Sequence, residues 1–271
     1  MRCLISMVRR RGTAGFFALA FTLTWCLQLP GVLARRGWLP GDPDAYLPAA
    51  MLGVFGPLVA ATYFTFKEGG REGVSALFKS LLAWRVSPKW SLLALFVPAI
   101  LLSAVLWLMG SAGRQGAWYF LPGVPQLVSA VVIAVAEETG WRGFALPRLA
   151  AKHGAFVASC ILGALWAVWH TPMFLAVGVP MSLGPVMLLY FVGGSLFFTF
   201  VYLGSGGSLF IAVLAHIGAH LNNSHAALPH DALPLVVHAV LYAALGFATM
   251  RSSAFERAPR MQLPVSGPAR E

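Results

Sequence analysis

Charge is scarce in this chain. Asp, Glu, Lys and Arg make up only 10% of its 271 residues, against roughly 25% in a soluble domain. Acidic residues number nine, while 58% of the chain is hydrophobic. Too little polar surface exists to cover several buried helices, which excludes an ordinary soluble fold. Cysteine is also rare. Cys3, Cys26 and Cys160 are the three, and their spacing fits neither a zinc knuckle nor a disulfide framework. No His-Glu-x-x-His helix occurs. No small-x-small cleavage site clearly follows the first apolar run, Thr13 to Val32, so a retained span is preferred to a signal peptide. No convincing repeat relates the two halves, which weighs against a transporter built from inverted repeats.

What is present is a series of long apolar runs. Mean hydropathy is +0.75. Eight spans are expected, at about Thr13 to Leu33, Tyr46 to Phe66, Trp90 to Met109, Val124 to Phe144, Ala155 to Phe174, Leu183 to Tyr202, Ser208 to Ser224 and Leu233 to Met250. The fold class is therefore an all-α, polytopic membrane helical bundle with a polar intramembrane cavity. Residues 1–12 form an N-terminal segment, 13–250 a single transmembrane domain, and 251–271 a disordered tail. Val74 to Trp84 has apolar positions at helical spacing and reads as an amphipathic helix in the interface, or as a loop helix resting on the bundle. Pro147 is expected to end the fourth span. Gly193, Gly194 and Ser195 suit close helix contact, and Gly53, Gly56 and Pro57 point to close packing or a kink.

The net charge of +10 is explained by topology rather than by nucleic acid. With eight spans, the basic residues of both tails and of the second and fourth connectors fall on one side. Those residues number fifteen, against Arg35, Arg36 and Arg114 on the other side. This bias predicts that both termini are cytoplasmic, in the cell's inner membrane.

Two adjacent carboxylates, Glu137 and Glu138, end the apolar run of the fourth span, and Arg142 comes after them. Charges at membrane depth are costly, and they are usually paired and functional. Glu138 and Arg142 are four apart and can pair on one helix face. That pair reads equally as a structural ion pair. Glu137 points about 100 degrees away on the helical wheel, free to face a cavity. His216 and His220 share a face of the seventh span, and His170 lies on the fifth. Their convergence would be more economical than separate burial. A carboxylate and a histidine can hold and deprotonate a water, while further donors stabilise an oxyanion. That is the chemistry of peptide-bond hydrolysis. A metal reading competes, because Glu137, His170, His216 and His220 are adequate zinc ligands by type. Trp166 and Trp169 are expected to pack or to line the cavity. His153, His225, His230 and His238 read as structural or solvated.

These residues resemble the CPBP intramembrane proteases, also called the Abi or CAAX-protease-and-bacteriocin-processing family, which includes the type II CAAX prenyl endopeptidases. Three blocks carry the resemblance. They are Glu137-Glu138-Thr-Gly-Trp-Arg142 followed by Gly143-Phe144, Trp166-Ala-Val-Trp-His170, and His216-Ile-Gly-Ala-His220. The likeness spans roughly Leu47 to Ser224, the expected catalytic core. It implies that Glu137 and His170 activate water. It also implies that His216 and position 220 form the oxyanion site, and that Glu138 and Arg142 orient the site. Position 220 is histidine where the family usually has asparagine. Asn222 or Asn223 are candidates for the lost amide. The family is often labelled metalloprotease, yet the glutamate–histidine route requires no metal ligand sphere, so a cofactor such as zinc stays open.

The implied partners are a peptide or protein substrate at the membrane and the lipid bilayer, with no nucleic acid. CAAX processing, bacteriocin maturation, self-immunity and cleavage of other membrane proteins all belong to the family. The sequence does not choose among them, nor does it set the oligomeric state. The rival function classes are a non-enzymatic scaffold or immunity protein of the same fold and a proton-coupled transporter.

Overall fold

A computed structural model describes residues 2–108, 123–176, 178–221 and 232–251. Among these residues there are helices and connectors but no strands. The α-helices are α1 (Arg2–Arg35), α2 (Leu47–Leu52), α3 (Gly56–Ser80), α4 (Pro88–Leu108), α5 (Val124–Gly140), α6 (Leu146–His153), α7 (Ala155–Ala176), α8 (Gly184–Gly204), α9 (Leu209–Ala219) and α10 (Ala232–Thr249). Among the described residues, five segments are long and apolar enough to cross a membrane: Gly12–Arg35, Pro43–Ser80, Pro88–Val105, Ala155–Ala176 and Met181–Gly204. Leu209–Ala219 and Leu235–Thr249 are shorter apolar helices. The protein is thus a multi-pass membrane helical bundle. The tail beyond residue 251 lies outside the described residues, as does most of the connector from Gly110 to Gly123.

The fourth span departs from expectation. Pro147 does not break the helix. A proline carries no N–H and its ring collides with the carbonyl four residues earlier, here that of Gly143. The backbone absorbs this in a π-helical turn, Trp141–Ala145, where the Leu146 N–H bonds the Trp141 carbonyl instead. Such a turn adds a residue locally and lets the helix run on. It continues through α6 to Gly154, whose φ of 77° makes the turn into α7.

This continuity removes a mismatch in depth. A fourth span ending at Phe144 would put Glu137 far below His170. With the turn at Gly154, the two residues lie almost equally far along the chain from it. At 1.5 Å rise per residue both stand about 25 Å from the turn.

The second span is also longer than expected. The helix runs past Lys67 and Glu68, but Gly70 is non-helical, with φ 59° and ψ −153°, and divides α3 into two helices. The segment from Val74 to Trp84 is accordingly helical as far as Ser80 and separate from the second span, as expected. It leaves Phe78, Leu82 and Trp84 exposed and buries Leu77 against the core.

Small residues let the helices close. A Cβ on Gly193 would stand 2.5 Å from the Ala243 nitrogen, so α8 and α10 meet backbone to backbone. A Cβ on Gly140 would stand 2.5 Å from Pro57, bringing α5 against the start of α3 beside the acidic pair. Membrane helices gain little from hydrophobic exclusion and depend on such contacts. Gly193→Val is expected to destabilise the bundle by at least about 1–3 kcal/mol, the usual cost of overpacking. Thermal unfolding in detergent reads this, and a wild-type midpoint would contradict the α8–α10 contact.

Candidate active site

The site is built where the end of α5 and the π-helical turn meet α7, α8 and α9. Glu137, Glu138 and Arg142 are 2%, 0% and 0% exposed. So deep a set of charges requires close pairing. Glu138 Oε1 accepts from Arg142 Nη1 at 2.9 Å and from His216 Nδ1 at 2.8 Å. One oxygen thus joins α5 to the turn and to α9. The Arg142 guanidinium also lies over two rings, 4.7 Å from the Trp166 centroid and 4.9 Å from that of Phe198. A desolvated cation over aromatic faces gains electrostatically from both.

Glu137 is held differently. Its Oε2 accepts from Trp166 Nε1 at 2.7 Å and from Trp141 Nε1 at 3.3 Å. Both are neutral donors, so Glu137 has no counter-ion in direct contact among the described residues. The pairs Glu137–Trp141 and Glu138–Arg142 share the same four-residue helical spacing on neighbouring faces. Glu137 Oε1 takes neither indole.

His170 stands one turn beyond Trp166 on α7. Its Nδ1 bonds the Trp166 carbonyl at 2.9 Å. A carbonyl only accepts, so Nδ1 carries the proton and Nε2 of the neutral ring is an acceptor. The ring is stacked on Phe191 at 4.5 Å between centroids and packed edge-on against Trp169 at 4.6 Å. Glu137 and His216 are both near enough to act on His170 electrostatically.

His216 sits inside α9, and His220 forms its C-terminal cap, outside the helix. Their rings stack at 5.3 Å with an 8° interplanar angle. His216 also meets the Trp166 and Phe198 rings at 5.6 and 5.9 Å. The four-residue spacing therefore does bring the two histidines together. Asn222, Asn223, His225 and His230 lie outside the described residues.

The chain is similar to known proteins. The family model for type II CAAX prenyl endopeptidase Rce1-like proteins matches residues 120–222, the stretch that carries all three blocks. A protein of Methanococcus maripaludis named CAAX prenyl protease 2 is 23% identical over 236 residues, covering 80% of this chain and 85% of its own length. The chain is thus similar to CAAX prenyl proteases, most specifically over the stretch that holds the three blocks.

Several groups at this site were not singled out as hydrogen-bonding partners by sequence. Trp141 and Trp166 serve the carboxylate rather than only packing. The i, i+4 spacing of Glu137 and Trp141 was the available signal. Thr24 and Trp25 of α1 were missed altogether. Trp169 Nε1 donates to Thr24 Oγ1 at 2.9 Å, Thr24 donates on to the Gly53 carbonyl at 2.7 Å, and Trp25 Nε1 donates to the Trp169 carbonyl at 3.1 Å. This chain of bonds ties α1 and the start of the second span to the His170 turn. Phe16 and Phe17 of α1 close on Trp141 at 5.8 and 6.2 Å.

The fit to a metal is poor. Among the described residues no three His, Cys, Asp or Glu side chains gather as a ligand set. Glu137 Oε2 already holds two indoles, and His216 Nδ1 already bonds Glu138.

Breaking the buried pair has a large expected cost. Arg142→Met leaves Glu138 charged and bonded only by His216, and should destabilise the fold by about 3–5 kcal/mol. Adding Glu138→Leu should recover most of that loss. Unfolding of the two variants in detergent measures both, and equal stability of single and double variants would contradict the pairing.

Proposed function

We propose that this membrane protein is an intramembrane endopeptidase that hydrolyses a peptide bond with water activated by Glu137 and His170. The observation that carries this reading is the arrangement of two potential proton acceptors. Glu137 is held by two neutral indole donors on one oxygen, and His170 is locked with Nδ1 on a carbonyl and Nε2 as acceptor. A water between Glu137 Oε1 and His170 Nε2 would give one hydrogen bond to each.

Glu137 takes a proton as the water oxygen bonds to the carbonyl carbon of the substrate. The carbonyl oxygen becomes an oxyanion and needs donors within reach. His216 and His220 supply them. Because Nδ1 of His216 faces a carboxylate, its Nε2 can donate only when the ring is an imidazolium. Glu138 is placed to stabilise that charge, much as a carboxylate supports a catalytic histidine elsewhere. With two carboxylates, Arg142 and an imidazolium, the cluster starts neutral. When the proton has moved to Glu137, the imidazolium faces the new oxyanion and neutrality is kept. Glu137 then returns its proton to the departing nitrogen as the C–N bond breaks. The products are a carboxylic acid and an amine. Position 220 acts here as a ring N–H donor in place of an amide.

The substrate class is a lipidated peptide presented at the membrane. The Methanococcus relative is named for prenyl substrates. A prenylated Cys-a-a-X terminus is a membrane-anchored peptide of that kind. The fifteen-to-three division of basic residues supports an orientation with both termini on the cytoplasmic side. Reporter fusions at residue 271 check that orientation.

The central test uses a farnesylated Cys-a-a-X peptide with a fluorophore and quencher flanking the scissile bond. Glu137→Gln should lower kcat by about 10²–10⁴-fold, the usual worth of a general base, with unfolding unchanged. Full cleavage by that variant would overturn the water-activating role of Glu137. Dialysis against a zinc chelator should leave the rate within about twofold, since the preferred route passes through no metal-bound group. A loss restored by zinc would overturn the metal-free route.

A further inference from the structure

The Glu138–Arg142 pair is hydrogen-bonded on one side only. Glu138 Oε1 takes both Arg142 and His216, whereas Glu138 Oε2, Arg142 Nε and Arg142 Nη2 are buried and meet no protein partner among the described residues. A guanidinium has five N–H donors, and a carboxylate has two accepting oxygens. In folded interiors such groups are satisfied by protein or by ordered water.

A third helix brings a complementary group. Tyr242 of α10 is 2% exposed, and its buried hydroxyl also meets no protein partner among the described residues. It stands near enough to Glu138 and Arg142 to act on both electrostatically. The reach across α8 depends on a glycine. A Cβ on Gly194 would lie 3.2 Å from Tyr242 Cε1 and 3.6 Å from Cζ, the atom bearing the hydroxyl. Gly194 and Phe198 are four apart on α8 and share one face. Tyr242 rests on the first of these, and the Arg142 guanidinium rests on the second. The tyrosine ring is fixed by Tyr190 at 5.4 Å, by His238 at 5.6 Å and 9°, and by Phe197 at 6.2 Å.

We infer that Tyr242 is a positioning residue for the reaction, and that a buried water between Tyr242, Glu138 and Arg142 supplies the bonds that Glu138 Oε2 and Arg142 Nη2 lack. That water accepts from the Tyr242 hydroxyl and from Arg142 Nη2, and donates to Glu138 Oε2. Each of the three protein groups then gains a bond, and buried waters ordinarily make about three. The consequence reaches the reacting atoms through Glu138, whose other oxygen sets the tilt of the His216 ring. Tyr242 lies beyond the segment that matches the family model, residues 120–222. α10 therefore contributes to the site as well as covering it.

This inference rests on the hydrolytic reading above, and the test separates the two. With the same farnesylated quenched peptide, Tyr242→Phe keeps the ring and removes only the hydroxyl. It should lower kcat about tenfold and leave KM within about twofold, as expected for a group that acts through a catalytic one. In an Arg142→Lys background, the further loss from Tyr242→Phe should shrink to less than about twofold, because the bond that it supports is already altered. Gly194→Ala is the second variant. It displaces the ring by a few tenths of an ångström without deleting the hydroxyl, and should lower kcat with KM retained. Unchanged kcat in both variants, or losses from Tyr242→Phe and Arg142→Lys that multiply, would overturn the inference while Glu137→Gln stays inactive. Cleavage by Glu137→Gln at the wild-type rate would overturn the water-activating role of Glu137 itself.

Discussion

One carboxylate oxygen carries the middle of this molecule. Glu138 Oε1 bonds Arg142 and His216 together, deep inside the bundle. In such surroundings an isolated charge is far more costly than a matched pair. The three groups come from α5, the π-helical turn and α9, so neutralising the charge also sets the spacing of those elements. The ring faces of Trp166 and Phe198 close on the guanidinium from α7 and α8. Four apolar helices and the turn are thereby gathered around one buried charge.

The π-helical turn makes that gathering possible. Pro147 rules out regular α-helix at this point, yet the chain stays helical from Val124 to His153. The extra residue in the turn rotates the helix beyond it. Trp141 and Arg142 still face back to Glu137 and Glu138, while Phe144 turns toward Phe16 at 4.9 Å. Beyond the turn, Arg148 reaches Glu68 of α3 and lies over Phe144. A single proline thus separates a polar upper segment, which faces the site, from a lower segment that anchors the helix to α1 and α3.

Around the charges lies a shell of aromatic rings with polar edges. Indoles serve here because they bury a large apolar body and still present one N–H donor. Trp166 and Trp141 give theirs to Glu137, and Trp169 gives its own to Thr24. The two glutamates are adjacent in sequence but differ in surroundings. Glu138 is matched by the Arg142 guanidinium and the His216 ring, and Glu137 is held by neutral indole donors. That asymmetry suits one carboxylate to support and the other to exchange a proton with water.

Much of this was legible in the sequence. The apolar runs and the scarcity of charge marked a helical membrane bundle, because a backbone in lipid must satisfy its own hydrogen bonds. The four-residue spacing of Glu138 and Arg142 marked their pairing, because such a contact is local to one helix. The stacking of His216 on His220 came from the same short-range geometry. Pro147 misled because local propensity favours a break, and only the surrounding helices hold the chain in a π-helical turn instead. Hydrogen bonds between helices were not legible either. That His216 reaches Glu138, that Trp166 reaches Glu137, and that Thr24 receives Trp169 depend on how helices distant in sequence are set side by side. Periodicity determines the face that a residue occupies on its own helix. The face it meets on another helix was decided by glycine-lined close contacts and by the need to neutralise buried charge.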